Sequence, residues 1–285
     1  MNTPFDLPDN PDSACRPPSA RDVLVDRTFR ALARIGVVLV LALVFALVYE
    51  VGRKALPGIE KHGFDVLLGS VWDVNQGQYG ILPAIWGTLY SAFIALLIAG
   101  FFGVSMAIFL TQDFLPARLA AVFRTIVELL AAIPSVVYGL WGIYVVIPAI
   151  RPLTTWLNSE LGWIPFFGTS LSGPGLLPAA LVLAIMILPT IAAVSQDALT
   201  SVPMKTKQAA YGMGTTHWEA ILKVMVPSAA TGIFGSLVLG LGRALGETMA
   251  LAMLVGNANT LSVSLFAPAN TLAALLALNF PEAGP

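Results

Sequence analysis

Charge is what this chain has least of. Asp, Glu, Lys and Arg make up 11% of its 285 residues, against about 25% in ordinary soluble domains. The net charge of −1 and the pI near 6.1 point to neither nucleic acid nor an acidic partner. Cysteine occurs once, at Cys15, which excludes an intrachain disulfide. The only histidines, His62 and His217, lie far apart in the sequence and give a metal site no support. A phosphate-binding loop of the Gly-x-x-x-x-Gly-Lys-Ser/Thr type is missing, so nucleotide chemistry is not expected of this chain. Nor is there an internal repeat of the kind secondary carriers often show. Catalytic residues, cofactor and metal are therefore all read as none.

What is present is apolar: hydrophobic residues reach 57% and the mean hydropathy is +0.81. The sequence reads as an all-α, polytopic transmembrane bundle in a lipid bilayer. Residues 1–34, with five prolines and scattered charges, are expected to form a disordered cytoplasmic tail. Residues 35–51 form a short first span around Ile35–Tyr49, read as an uncleaved anchor, and 52–84 an extracytoplasmic segment. Further spans are expected over Ile85–Leu110, Val122–Ile147 (kinked at Pro134), Leu176–Val194 and Ile233–Val255. Arg21, Arg27, Arg30 and Arg34 before the first span, with Arg118, Arg124, Lys205, Lys207 and Lys223 in later loops, place the N-terminus in the cytoplasm. Trp156, Trp163, Phe166 and Phe167 read as an interfacial segment on the other side.

Two patterns carry chemistry. The first is Arg243 and Glu247, the only charges between Ser228 and Pro281. A charge at mid-bilayer costs at least about 2.5–3.5 kcal/mol, so both must face protein or water. On a continuous helix they would share a face and could touch. One reading is a structural ion pair between packed helices; the other is a polar element on a transport path, with Arg243 meeting an anion. The second pattern is the loop 195–227. There Pro203 can open a helix, Gly212 and Gly214 can end it, and an amphipathic stretch from Trp218 to Val226 follows. Two short helices about a glycine elbow make a docking knob.

Gln208-Ala209-Ala210, then Gly214, then Val224-Met225-Val226-Pro227 resembles the Glu-Ala-Ala loop of ABC-importer permeases, with Gln208 replacing the glutamate. Ala131-Ala-Ile-Pro-Ser-Val-Val-Tyr-Gly-Leu-Trp-Gly142 and Leu241-Gly-Arg-Ala-Leu-Gly-Glu-Thr-Met-Ala250 are similar to the permeases of bacterial phosphate importers. The resemblance covers about residues 85–280 and implies a permease domain over 85–285. It also implies a heteromeric importer: a sister permease (PstA), a dimer of the ATPase PstB, and the phosphate-binding protein PstS. Within it, Arg243 and Glu247 would line the phosphate path, while Gln208, Ala209, Ala210, Gly214 and Pro227 would couple to the ATPase. Permeases of other oxyanion importers, such as molybdate or sulfate, remain an alternative; a secondary transporter or membrane signalling subunit is a third. The resemblance implies six spans, and five are expected here, the sixth being missing either by truncation or because the chain is a shortened variant. A reporter fused at Pro285 is then expected to read extracytoplasmic, and to move inside when an apolar span is appended. A cytoplasmic signal at Pro285 would overturn the count.

Overall fold

The computed structural model describes residues 19–73, 76–112 and 114–280. Cys15, the expected tail before residue 19 and the chain end at Pro285 lie outside the described residues. The chain divides into two units, residues 1–63 and 64–285.

The first unit is a single 43-residue helix, α1 (Ala20–His62). Ser19 starts it with reciprocal bonds: its Oγ accepts from the Asp22 N–H, and the Asp22 carboxylate accepts from the Ser19 N–H, both at 3.2 Å. Arg30 pairs with Asp26 one turn away at 2.6 Å, and Glu50 with Arg53 and Lys54 at 3.3 and 3.6 Å. Residues 20–34 are thus helical rather than a tail, and the helix runs past 51 to His62. Composition marked this stretch as unable to pack, but a capping box and turn-spaced ion pairs are local and need no core.

The second unit opens with α2 (Asp65–Leu68) and a two-stranded hairpin, β1 (Trp72–Asp73) and β2 (Gln78–Tyr79). Its frame is α3 (Leu82–Thr111) packed on a later helix, α7 (Leu176–Thr200). Small residues explain the closeness. Gly87, Ser91, Ala95, Ala99, Gly103 and Ala107 recur every fourth position of α3 and are all buried. Hydrocarbon gives helices no hydrophobic reason to associate, so such small-residue ridges supply contact through van der Waals packing. A Cβ at Gly103 would stand 3.0 Å from the Ile191 side chain.

Prolines decide where helices break. α4 (Ala117–Ala132) stops at Ile133, which is extended, ahead of Pro134; α5 (Ser135–Trp141) then starts. The residue before a proline is driven out of the helical region, so the expected kinked span over 122–147 is in fact two helices. The membrane-length helix is Ser135–Leu161: α5, a π-helical turn (Gly142–Val146), and α6 (Ile147–Leu161). Pro148 lacks an N–H and crowds the carbonyl four residues back; the π turn ends two residues before it, with the Ile147 N–H reaching Gly142 instead. The same device recurs further on. After α8 (Met204–Gly212) and α9 (His217–Glu219), a second π turn (Ala220–Met225) ends two residues before Pro227, and α10 (Val226–Ser228) follows.

α11 (Ala230–Leu245) is antiparallel to α7, and α12 (Met249–Leu254) packs on α5. The expected fifth span, Ile233–Val255, is therefore broken between Leu245 and Met249. Residues 256–271 return across the ends of α3 and α7 before α13 (Leu272–Asn279). They are tied by Leu177 N–H to Leu265 at 2.7 Å, Trp86 Nε1 to Ser262 at 2.9 Å, and Leu272 N–H to the Thr88 hydroxyl at 2.9 Å. Among the described residues, four helices are long and apolar enough to cross a membrane; the count rises to five if His217–Ser228 and Ala230–Leu245, bent by 68°, form one span.

A Cβ at Gly87 would fall on the Asn270 carbonyl, whereas Gly212 has open space. Gly87→Ala is expected to destabilise the protein by about 1–3 kcal/mol, read as a lower detergent-melting temperature and yield, with Gly212→Ala much less affected. Equal melting of Gly87→Ala and the unmodified protein would contradict this packing.

Candidate functional site

Arg243 and Glu247 do not meet. α11 ends at Leu245, and Glu247 lies in the non-helical break that follows. Their shared helix face, expected from the four-residue spacing, is not formed. Gly240, Gly242 and Gly246 weaken this stretch as helix, and the Glu247 carboxylate accepts from the Ala250 N–H at 3.3 Å, in the first turn of α12. Arg243 sits in the last turn of α11, where the free carbonyls favour a cation. The break thus gives each charge its own backbone environment. Neither forms an ion pair with the other, and Arg243 pairs with no acid among the described residues.

The guanidinium is held instead by a neighbouring helix. Arg243 Nη1 donates to the Thr190 hydroxyl of α7 at 3.0 Å. Below that bond the two helices interlock in antiparallel register. Gly240 lies against Ile191, the buried Ser195 and Ser236 hydroxyls bond at 2.8 Å, and Gly232 lies against Ala198. Arg243 is exposed on this chain and borders an open groove of about 670 Å³ lined by Thr190, Gly235, Val238, Leu239, Gly242 and Arg243. Phe234, Val238, Leu239 and Leu245 are exposed around it. Thr190 and the serine pair were not singled out in the sequence; a hydroxyl directly after Pro189 in an uncharged span was the available signal.

The 131–142 run lies beside this region. Gly139 of α5 packs so tightly on α12 that a Cβ would come within 2.7 Å of the Met253 sulfur. Across the Pro134 break, the Tyr138 hydroxyl donates to the Leu130 carbonyl at 2.8 Å.

The second expected site is formed as two short elements about an elbow. α8 starts directly after Pro203 and ends at Gly212. Gln208 and Ala209 are exposed, while Ala210 is buried and its carbonyl accepts from the Thr215 hydroxyl at 2.9 Å. Gly214 has φ of +80°, and a Cβ there would meet no atom within 4 Å. Its requirement is therefore backbone conformation, not the close approach of a neighbour within this chain. Thr216 and Glu219 form a capping box that restarts the helix. The Thr216 backbone N–H, together with Lys223 and the Thr216 hydroxyl, holds the Glu219 carboxyl down to about 2. Pro227 follows the π turn by two residues and closes the motif. The elbow is rooted in aromatic rings: Phe114 lies 4.9 Å from His217, 5.0 Å from Trp218 and 5.7 Å from Phe109 of α3. Met204 and Met213 are strongly exposed at the knob.

Residues 99–278 match the family described as binding-protein-dependent transport system inner membrane component. A relative from Mesorhizobium japonicum, named phosphate transport system permease protein PstC, is 40% identical over 92% of this chain and 82% of its own length. One of the same name from Haemophilus influenzae is 41% identical over 91% and 84%. A probable phosphate transport system permease protein PstC from Methanocaldococcus jannaschii is 35% identical over 81% and 74%. Among solved structures, an inward-facing form of the MetNI methionine ABC transporter matches with a TM-score of 0.51 at 21% identity. That match covers 70% of this chain and 80% of the solved one.

Proposed function

This chain belongs to the family of binding-protein-dependent transport inner membrane components, and from that premise we propose that it is the permease subunit of an ATP-driven phosphate importer. It is a multi-pass membrane protein of a transport family, not an enzyme in its own right; ATP hydrolysis belongs to a partner. The partners are a sister permease of the PstA kind, a dimer of the ATPase PstB, and the phosphate-binding protein PstS. The N-terminus is on the cytoplasmic side, the side from which the ATPase docks.

One observation carries the path reading: Arg243 is an exposed cation, paired with no acid among the described residues, at the end of a broken span and flanked by exposed apolar side chains. Lipid is a poor neighbour for such a charge, so the face it occupies turns toward protein and water. The sister permease supplies the other wall. A guanidinium then offers paired donors to phosphate oxygens. Glu247, close in sequence but bound to its own backbone, lowers the local positive potential so that the anion is passed on rather than held.

The exposed Met204 and Met213, with Gln208 and Ala209, form the surface that docks the ATPase. Movement there reaches the spans through the Phe114, His217 and Trp218 rings. Gln208 is neutral where the resembled motif has a glutamate, so docking here rests on shape and apolar contact.

Arg243→Gln is expected to reduce phosphate uptake by a hundredfold or more, as an order of magnitude, in a complex that assembles normally. Glu247→Gln keeps an oxygen for the Ala250 N–H, so it should also assemble; it should couple phosphate poorly to ATP hydrolysis. Uptake and phosphate-stimulated ATPase activity of the reconstituted four-component complex check both. Normal uptake by a well-assembled Arg243→Gln complex would sink the path reading.

The elbow has its own test. Gly214→Leu should lose co-purification with the ATPase, because a left-handed residue costs a bulky side chain about 1–2 kcal/mol and redirects the knob. Gly214→Asn, which tolerates that conformation, should retain most of it. Equal loss in both would mean that the partner needs a small residue there.

A further inference from the structure

A threonine inside a helix has a default use for its hydroxyl proton: the carbonyl four residues back. Thr88, Thr111, Thr155 and Thr200 all follow it, donating to Ala84, Ala107, Arg151 and Gln196 at 2.7, 2.7, 2.8 and 3.0 Å. Thr190 makes no such bond among the described residues. Its oxygen accepts from Arg243 Nη1 at 3.0 Å. A guanidinium has no acceptor, so the direction is fixed and the hydroxyl proton is left to donate elsewhere. Thr190 is half-buried and lines the same open groove as Arg243.

The position of this hydroxyl is well determined. Thr190 follows Pro189, where α7 lacks one backbone donor, and is next to Ile191, which meets Gly240, and five residues before Ser195, which meets Ser236. α7 and α11 therefore cannot slide past each other without breaking a buried hydroxyl pair. Arg243 is long and flexible, and ordering such a side chain costs rotamer entropy. A fixed acceptor on the neighbouring helix meets part of that cost before any anion arrives.

We propose that Thr190 is both the positioning residue for Arg243 and a second ligand of the translocated anion. Its oxygen accepts from the guanidinium while its hydroxyl proton is donated to an oxygen of a tetrahedral oxyanion. The proposal rests on the phosphate-path reading of Arg243. An accepted bond from a cation polarises the hydroxyl and makes it the better donor. The anion thus meets one charged and one neutral ligand, bound to each other before it arrives.

The test uses the full importer complex with Thr190→Val, which keeps shape and removes the hydroxyl, and Thr190→Ser, which restores it. Initial phosphate uptake is measured against phosphate concentration and expressed per assembled complex, with Thr190→Ala replacing Val should Val lower the yield. Thr190→Val is expected to lower the maximal rate about tenfold, as for a lost hydrogen bond to a charged group, and Thr190→Ser to stay within about twofold of the unmodified protein. The apparent KM should not move, because first capture belongs to the binding protein. In an Arg243→Gln background, Thr190→Val should add less than its tenfold single-variant loss, because the part that acts through Arg243 is already gone. Normal uptake by Thr190→Val and Thr190→Ala, with Arg243→Gln inactive, overturns the proposal and leaves the path reading standing. Equal loss in Ser and Val at normal yield also overturns it, since the hydroxyl is then not the operative group. Normal uptake by both Thr190→Val and Arg243→Gln would instead remove the path reading itself.

Discussion

The hydrogen bond from Arg243 to Thr190 is the contact on which the polar site of the second unit depends. A guanidinium in a membrane-length bundle has to be satisfied by something other than lipid. Here the helix that carries it ends within a turn, leaving carbonyls that favour the charge, and the helix beside it offers a hydroxyl. Both provisions require α7 and α11 to lie close and in a definite register. The small residues supply that closeness. Gly232 and Gly240 admit Ala198 and Ile191, and Ser195 meets Ser236 between them. Larger residues at these positions would push the helices apart and strand the guanidinium. The small-residue packing is thus a condition for the polar site.

Helix interruptions in this protein are paired with prolines or glycines that account for them. Pro134 separates α4 from α5, and the two π turns sit at the same offset from Pro148 and Pro227. A π turn redirects a backbone N–H one residue further back, which relieves the carbonyl that a proline ring would crowd. It therefore lets a membrane-length helix continue through Pro148 instead of ending there. The break after Leu245 is of another kind, with Gly246 and a carboxylate that takes a backbone donor. A side chain that takes a free backbone N–H in this way helps the next helix to start after the break.

Hydropathy was enough to find the spans over Leu82–Thr111 and Leu176–Thr200, because long uncharged runs leave little choice of structure. It failed where a single residue overrides a run. The stretch 122–147 is apolar throughout its second half, yet Pro134 cuts it and the true long helix begins at Ser135. Residues 20–34 failed in the opposite sense: their composition read as disorder, but Asp26 and Arg30, four apart, brace a helix that Ser19 and Asp22 cap. The loop 195–227 was the most legible element. Pro203, Gly212 and Gly214 act on the backbone directly, and backbone constraints are local. The Arg243–Glu247 geometry was not legible. Spacing by four means adjacency only if the helix continues, and here it stops at Leu245, ahead of Gly246, with Glu247 bonded to Ala250 in a way that spacing does not show.

That broken geometry bears on how an importer could pass an anion without trapping it. Two opposite charges in contact would neutralise each other and leave an anion little to bind. A lone arginine would bind it and hold it. Separate backbone environments keep both charges present yet unpaired, with Arg243 reaching outward and Glu247 turned to α12. On the path reading proposed above, the strength of the site depends on the separation between the end of α11 and the start of α12. α12 packs chiefly on α5, through Gly139, and α11 chiefly on α7, through Gly240, while α7 also touches α12. A relative motion of those pairs would change the separation, and with it the affinity for an anion, without moving any residue along its own helix. Coupling of transport to a distant ATPase needs a site whose affinity follows helix movement. A charge pair split across a helix break meets that requirement where a closed ion pair on one helix would not.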